Sequence, residues 1–178
     1  MRQFNTEANA RQLNKTEEWL TYFHIFAVIP VKMIRDQKEH FMKAALAEAE
    51  KAYEKQEVPV GAVVVHNGVI IARAHNLTET LRDPTAHAEM QAITAATAYL
   101  GGKYLTDCTI YVTLEPCAMC AGAIGWSQAP AVVYGASDEK KGYSKVKGEL
   151  LHPKTTVESG IMENECRELL LKFFRSKR

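Results

Sequence analysis

Residues 58–74 read VPVGAVVVHNGVIIARA, and their pattern constrains how the rest of the chain can be arranged. Two runs rich in β-branched residues flank Asn67 and Gly68. An Asn-Gly pair between such runs is a strong signal for a tight turn joining two antiparallel strands. The stretch therefore predicts a β-hairpin, which places one antiparallel pair in the sheet that the chain forms.

The segment before the hairpin has the spacing of a helix. Asp36 with Glu39 three residues later resembles a capping box, a pair that satisfies the free N–H groups of a helix start. From Met42 to Tyr53, apolar residues recur every three or four positions. These features predict a first helix at about residues 37–55.

Beyond the hairpin, helical and strand-like segments alternate. Asp83-Pro84 favours a helix start, and HAEMQAITAATAYL at 87–100 continues that helix as far as Gly101 and Gly102. CTIYVTL at 108–114 and AVVYGA at 131–136 are typical of buried strands. The remaining predicted segments are a short helix from 117, a lysine-bearing loop at 137–154, a short strand at 155–159 and an amphipathic helix at 164–178.

This order of segments predicts a three-layer α/β/α sandwich around a mixed sheet of about five strands. The hairpin supplies the antiparallel pair, and strands joined by helices are expected to be parallel. We assign residues 33–178 to one domain and residues 1–32 to an N-terminal extension, disordered or from a misassigned start. Its apolar run LTYFHIFAVIPV is shorter than the roughly 20 residues of a membrane span, so no membrane partner is expected. The rival interpretation is a short hydrophobic helix packed on a partner.

Charge and cysteine content narrow the function classes. The 22 basic and 21 acidic residues give a formal net charge of +1, so any nucleic-acid contact must come from local patches. Of the four cysteines, only Cys117 and Cys120 have the spacing of a motif. This pattern is typical of a reduced cytoplasmic protein that uses cysteine for metal or redox chemistry.

Four residues predict a catalytic metal site: His87 and Glu89, together with Cys117 and Cys120. Two thiols three residues apart lie on one helix face, and a helix N-terminus favours the thiolates that a metal needs. One imidazole and two thiolates leave a fourth zinc position open for water, as in catalytic zinc sites. The alternatives are a redox pair and a structural zinc with a fourth protein ligand. Residues two apart in a regular helix cannot face one ion, so His87 must lie in an irregular first turn, with Glu89 as the proton carrier.

At these residues the sequence resembles the zinc-dependent nucleobase deaminases, whose signature is H-x-E followed by P-C-x-x-C. The match extends to DPTAHAE at 83–89, YVTLEPCAMCAGAI at 111–124 and VVYGASDEKKG at 132–142, which are most similar to bacterial deaminases of tRNA adenosine. The resemblance implies one Zn²⁺ per subunit, held by the histidine and the two cysteines. It also implies hydrolysis of adenosine to inosine at the wobble position of a tRNA anticodon. The alternative enzyme is a deaminase of a free nucleobase or nucleoside, guanine or cytidine, and a third class is a non-enzymatic zinc or redox module.

The resemblance also assigns residues around the substrate. It places Asn76 against the flipped base and Asp138 near the target ribose, while Ala88 and Val58 line the pocket beside Glu57 and Pro59. The simpler alternatives are a turn residue for Asn76 and a loop cap for Asp138.

Partner contacts are predicted at two further places. Basic residues flank two adjacent phenylalanines in the tail, which favours contact with an anticodon stem-loop, although the cations also suit a solvated helix end. The predicted RNA contacts are Phe173, Phe174, Arg175, Lys177 and Arg178.

Relatives pair through the helices that follow the cysteine motif, which implies a homodimer.

Overall fold

The computed structural model describes residues 31–177, with side chains described from residue 35. Five helices and five strands are defined there, apart from a 3-10 turn at Tyr143–Lys145. In chain order they are α1 (Val31–Glu54), β1 (Gly61–His66), β2 (Val69–His75), α2 (Thr78–Leu81), α3 (Ala88–Leu100), β3 (Cys108–Leu114), α4 (Ala118–Ser127), β4 (Ala131–Ala136), β5 (Thr156–Ser159) and α5 (Glu163–Ser176).

The strands form one mixed sheet in the order β2-β1-β3-β4-β5. β1 is antiparallel to both β2 and β3, whereas β3, β4 and β5 are parallel to one another. The hairpin prediction is confirmed: Asn67 and Gly68 have φ values of 50° and 76°, the conformation that this tight turn requires. The mixed five-stranded sheet is confirmed as well.

Helices cover both faces of this sheet. One face of β1 carries Val64 into a core shared with α3 and α4, and the other carries Val63 into a core shared with α1 and α5. Successive strand side chains point to opposite faces, so a strand buried on both sides has continuous apolar sequence. The structure thus confirms the three-layer sandwich. α1 packs closely on β1, because a Cβ at Gly61 would overlap the α1 backbone at Ala45 and Ala49.

Two predicted helix starts are wrong. Asp36 lies inside α1 rather than at its N-terminus, because no glycine or proline interrupts residues 31–54. The Asp83-Pro84 pair does not begin α3. The Asp83 carboxylate instead accepts hydrogen bonds from the Thr85 amide at 2.8 Å and hydroxyl at 2.7 Å, closing a turn that delays the helix to Ala88.

Packing divides the chain into two units, Met1–Gln37 and Lys38–Arg178. Of the first unit, only the opening of α1 belongs to the described residues, and its side chains from residue 35 to 37 are exposed. The extension predicted at residues 1–32 lies almost wholly outside the described part and stays a prediction. Among the helices between residues 31 and 177, none has the length and apolarity needed to span a bilayer.

Candidate active site

The predicted site residues come together at one edge of the sheet. Because β1 runs antiparallel to its neighbours, it begins at the edge where β2, β3 and β4 end. The connections at this edge carry Val58, Asn76, Cys117 and Asp138. Ligands commonly bind beyond the carboxyl ends of parallel strands, so the topology alone marks this edge as a binding site.

The three predicted metal ligands form one cluster. The Nδ1 atom of His87 lies 3.6 Å from Sγ of Cys117 and 3.5 Å from Sγ of Cys120. All three ligand atoms lie within 4.8 Å of one another. A tetrahedral zinc with usual Zn–S and Zn–N bond lengths places nitrogen and sulfur about 3.5 Å apart. The donor types and their separations therefore fit zinc.

The backbone explains how His87 and Glu89 reach one site. His87 is the N-cap of α3, with an extended backbone at φ −71° and ψ 156°. Its side chain therefore does not follow the helical direction, and the predicted irregular first turn is confirmed. Glu89, inside α3, is buried and lines the same cavity as His87 and Cys117. Cys117 has the corresponding place as the N-cap of α4.

The protonation of the two thiols points to a cation. Hydrogen bonds from Cys120 and then from His87 lower the pKa of Cys117 to about 4. The hydrogen bond to Cys117, followed by burial, raises the pKa of Cys120. Cys117 is half-buried and Cys120 is buried, and two thiols this close need a compensating positive charge to ionise together, which a divalent metal supplies. Burial also raises the pKa of Glu89, as expected for a carboxyl that exchanges protons near neutral pH.

A cavity of about 220 Å³ opens beside this cluster. It is smaller than the roughly 300 Å³ at the lower end of pockets for drug-sized ligands, so it suits a compact group. All four predicted substrate-binding residues line it, and so do Thr78, Glu115 and Lys141. The four predicted substrate-binding residues in this lining are Asn76, Ala88, Val58 and Asp138.

Asn76 is more than a turn residue, because a buried carboxylate orients its amide. Its Nδ2 donates to Oε2 of Glu57 at 3.2 Å and to the Thr78 hydroxyl at 3.1 Å. Both donor positions of the amide are thereby used, which leaves Oδ1 as the group available to a ligand. Glu57 also accepts from the Glu79 and Thr80 amides at 3.1 and 2.7 Å, which fixes this wall of the cavity.

Asp138 closes a turn of its own loop and also lines the cavity. Its carboxylate accepts from the amides of Lys140 and Lys141 at 2.9 and 3.0 Å, so it caps its loop while lining the cavity. Its own amide donates to Glu115 at 3.0 Å. Glu115 is not among the predicted site residues, although a charged residue between a buried strand and the cysteine motif is a usable signal.

The basic tail has a different arrangement from the one expected. Phe173 is 5% exposed and packs edge-on against Tyr53, at 6.2 Å between ring centroids, so its ring is not available for base stacking. Phe174 is exposed, and Lys177 lies over the Phe173 ring while donating to Gln56. Arg178 lies outside the described residues.

One face of α4 is exposed to solvent. Trp126 is 85% exposed, and Met119, Gly122 and Ala123 on the same helix are partly exposed. Residues at these spacings share one face of a helix. A large aromatic among small residues on an open face is typical of a protein interface.

Comparison with known proteins agrees with this geometry. Residues 35–136 match the cytidine and deoxycytidylate deaminase zinc-binding region. The tRNA-specific adenosine deaminase of Bacillus subtilis is 51% identical over 147 residues, covering 80% of this chain and 91% of that protein. Its counterpart in Aquifex aeolicus is 47% identical over 146 residues, covering 79% and 96%. A structure from a study of A-to-I editing by tRNA:A34 deaminases at the wobble position is 44% identical with a TM-score of 0.69, covering 74% and 99%.

Proposed function

Because this chain belongs to the cytidine and deoxycytidylate deaminase zinc-binding family, and within it to the tRNA-specific adenosine deaminases, we propose that it converts adenosine to inosine at the wobble position of a tRNA anticodon. The observation that carries the proposal is the set of His87, Cys117 and Cys120 around one point, with buried Glu89 beside it and a base-sized cavity in front. Each of these features has a place in hydrolytic deamination.

The reaction exchanges the 6-amino group of adenine for an oxygen from water. When bound by His87, Cys117 and Cys120, zinc supplies the Lewis acidity that makes water nucleophilic near neutral pH. Glu89 accepts a proton from the attacking water and delivers it to N1 as the C6–O bond forms. It then passes the second water proton to the amino group, which leaves as ammonia when the C6–N bond breaks.

The cavity walls hold the base for this chemistry. An adenine that acts as substrate must leave the base stack, and the small cavity then accepts it alone. We assign Oδ1 of Asn76 to the base edge, because its amide nitrogen is already committed to Glu57 and Thr78. Val58 and Ala88 supply packing, and Asp138 faces the sugar side.

The Asn76→Ala variant tests the assignment to the base. Removing a buried hydrogen bond to substrate is expected to lower kcat/KM about 10- to 100-fold, while zinc content stays unchanged. Steady-state kinetics with a stem-loop substrate and metal analysis of the same preparation measure both. Asn164→Ala, at an exposed position of α5 away from the cavity lining, is the matched control and should keep wild-type kcat/KM. An Asn76→Ala enzyme with unaltered kcat/KM would contradict the assignment.

RNA contact belongs to the exposed part of the tail. Phe174, Arg175 and Lys177 are exposed near the end of α5, where an aromatic ring can stack on a base and the cations can approach phosphates. The buried Phe173 takes no part in this contact. A tRNA substrate also implies a cytoplasmic site of action.

We further propose that the enzyme is a homodimer that pairs through the open face of α4. In a sedimentation experiment, Trp126→Glu should weaken association by about 30-fold or more in Kd, the effect of losing a central aromatic anchor. Tyr99→Glu is the control, since Tyr99 is a similarly exposed aromatic (69%) on α3. A wild-type chain that sediments as a monomer, or a Trp126→Glu variant that dimerises normally, would contradict this pairing.

The proposed activity is tested with a panel of substrates. Anticodon stem-loops carrying adenosine at the wobble position, or elsewhere in the loop, are compared with free adenosine, guanine and cytidine, and products are identified by nucleoside analysis. We expect inosine from the wobble adenosine and at least 100-fold lower kcat/KM for every other substrate. Preference for a free base or nucleoside would overturn the tRNA assignment while leaving the deaminase chemistry in place.

A further inference from the structure

A second buried carboxylate lies next to the zinc-binding cysteines. Glu115 directly precedes Pro116 and Cys117 and is 3% exposed. Its carboxylate accepts hydrogen bonds from the loop at 137–144, which runs from the end of β4 into the 3-10 turn. Neither zinc binding nor proton transfer by Glu89 uses this carboxylate.

Glu115 binds that loop at both of its ends. Oε2 accepts from the Asp138 amide at 3.0 Å, and Oε1 accepts from the Ser144 amide at 3.1 Å. Backbone bonds reinforce the contact, because the Tyr143 amide donates to the Pro116 carbonyl at 2.9 Å and Gly142 bridges to Cys117. The loop is therefore docked on the turn that presents the first zinc-binding cysteine.

The loop residue that faces the carboxylate has no side chain. A Cβ at Gly142 would overlap the Glu115 carboxyl group. The φ of Gly142 is −56°, a value open to any residue, so the glycine is required by space rather than by backbone conformation. The carboxylate cannot easily yield, because two amides hold it and its surroundings are closed.

We propose that Glu115 is a positioning residue that holds Asp138 at the mouth of the cavity and so sets the fit of the substrate's sugar. This inference rests on the proposed function, since it assigns the sugar side of the substrate to Asp138. Asp138 and Glu115 both line the cavity, and the hydrogen bond that the Asp138 amide donates to Glu115 links the turn bearing Cys117 directly to this wall. Glu57 holds the part of the lining that carries Asn76 in the same way, through the amides of Glu79 and Thr80.

Glu115→Gln tests the link with little change of size. A glutamine has one accepting oxygen, so one of the two backbone amides must face an NH₂ group and lose its partner. Hydrogen exchange followed by mass spectrometry should show residues 137–145 exchanging about 10-fold faster or more, the effect of losing one buried hydrogen bond. Glu57→Gln is the matched variant and should accelerate exchange at 76–81 instead. Unchanged exchange at 137–145 in Glu115→Gln would overturn the proposal.

Kinetics separate positioning from a loss of folded protein. With the stem-loop substrate, Glu115→Gln should raise KM about 10-fold, with full zinc content and a smaller change in kcat. A merely destabilised enzyme would show lower kcat at unchanged KM, and that result would contradict the proposal. In an Asp138→Ala background, Glu115→Gln should raise KM by less than a further twofold, because both substitutions act on the same contact with the substrate. Full additivity of the two changes would contradict it as well.

Gly142→Ala disturbs the same contact from the loop side. It provides a second test if Glu115→Gln does not fold. It should reproduce the faster exchange at 137–145 and the raised KM, whereas exposed Glu139→Gln in the same loop should leave both at the wild-type values. Gly142→Ala with wild-type exchange and KM would overturn the proposal. If the wild-type chain itself does not deaminate the stem-loop, the proposed function fails, and the exchange experiment still decides whether Glu115 holds the loop.

Discussion

Glu89→Gln is expected to bind zinc like the wild type while its kcat falls about 100- to 10,000-fold, the usual contribution of a general acid–base. Glutamine has nearly the shape of glutamate but cannot accept and release the two protons that deamination moves. The metal should stay, because the cluster of donor atoms consists of His87, Cys117 and Cys120 and does not need the carboxylate. Single-turnover kinetics and metal analysis on one preparation measure both quantities.

A buried carboxylate on a different helix, α1, provides the control for this variant. Glu48 is also buried, and its carboxylate pairs with Lys51 and His75 away from the cavity. Glu48→Gln should therefore affect stability more than kcat. If Glu89→Gln turned over at the wild-type rate, the proton-carrier role would be excluded, and a non-enzymatic zinc module would become the better interpretation.

His87→Ala is expected to lose both metal and activity. The variant removes one of three protein ligands, so zinc affinity should fall by more than the 10- to 100-fold that weaker, outer-sphere changes cause. Activity should fall with zinc occupancy, and excess zinc should restore little of it because the open position for water is no longer defined. Competition with a coloured zinc chelator measures affinity, and the deamination assay measures kcat.

Cys117→Ser should behave like His87→Ala, since a serine hydroxyl does not replace a thiolate toward zinc. His66→Ala and Cys108→Ala are the matched controls, because both lie on strands away from the donor cluster and should bind zinc normally. A His87→Ala enzyme with full zinc affinity would mean that another group completes the site, and the ligand assignment would be wrong.

The difference between Glu89→Gln and His87→Ala distinguishes a catalytic zinc site from a redox pair. Glu89→Gln separates catalysis from metal binding, whereas His87→Ala removes both together. A redox pair at Cys117 and Cys120 would require neither His87 nor Glu89, so it predicts no such contrast. Both variants alter side chains at the start of α3 and leave the sheet intact, so circular dichroism should show the same fold for each.

Much of this arrangement was predictable from local sequence. The Asn67-Gly68 turn fixed the register of the hairpin, and uninterrupted apolar runs marked the buried strands. The zinc donors were predictable because metal chemistry restricts both residue type and spacing. The irregular position of His87 followed from geometry alone, since residues two apart in a helix cannot converge.

Other features depend on contacts between distant residues and left little local signal. Glu115 meets Asp138 and Ser144 only after β3 and β4 pair, so its role follows from the topology. The burial of Phe173 depends on Tyr53 in α1, which sequence spacing in α5 could not show. Helix starts were also misplaced, because the same Asp83 carboxylate can cap a helix or close a turn.

Metal analysis of purified, active protein tests the central claim most directly. One zinc held by His87, Cys117 and Cys120 predicts one equivalent of zinc per chain, with deamination lost as a chelator removes the metal and regained as zinc is restored. Full activity in protein that contains no transition metal would contradict the claim, and so would zinc that remains at one equivalent after all three donors have been replaced.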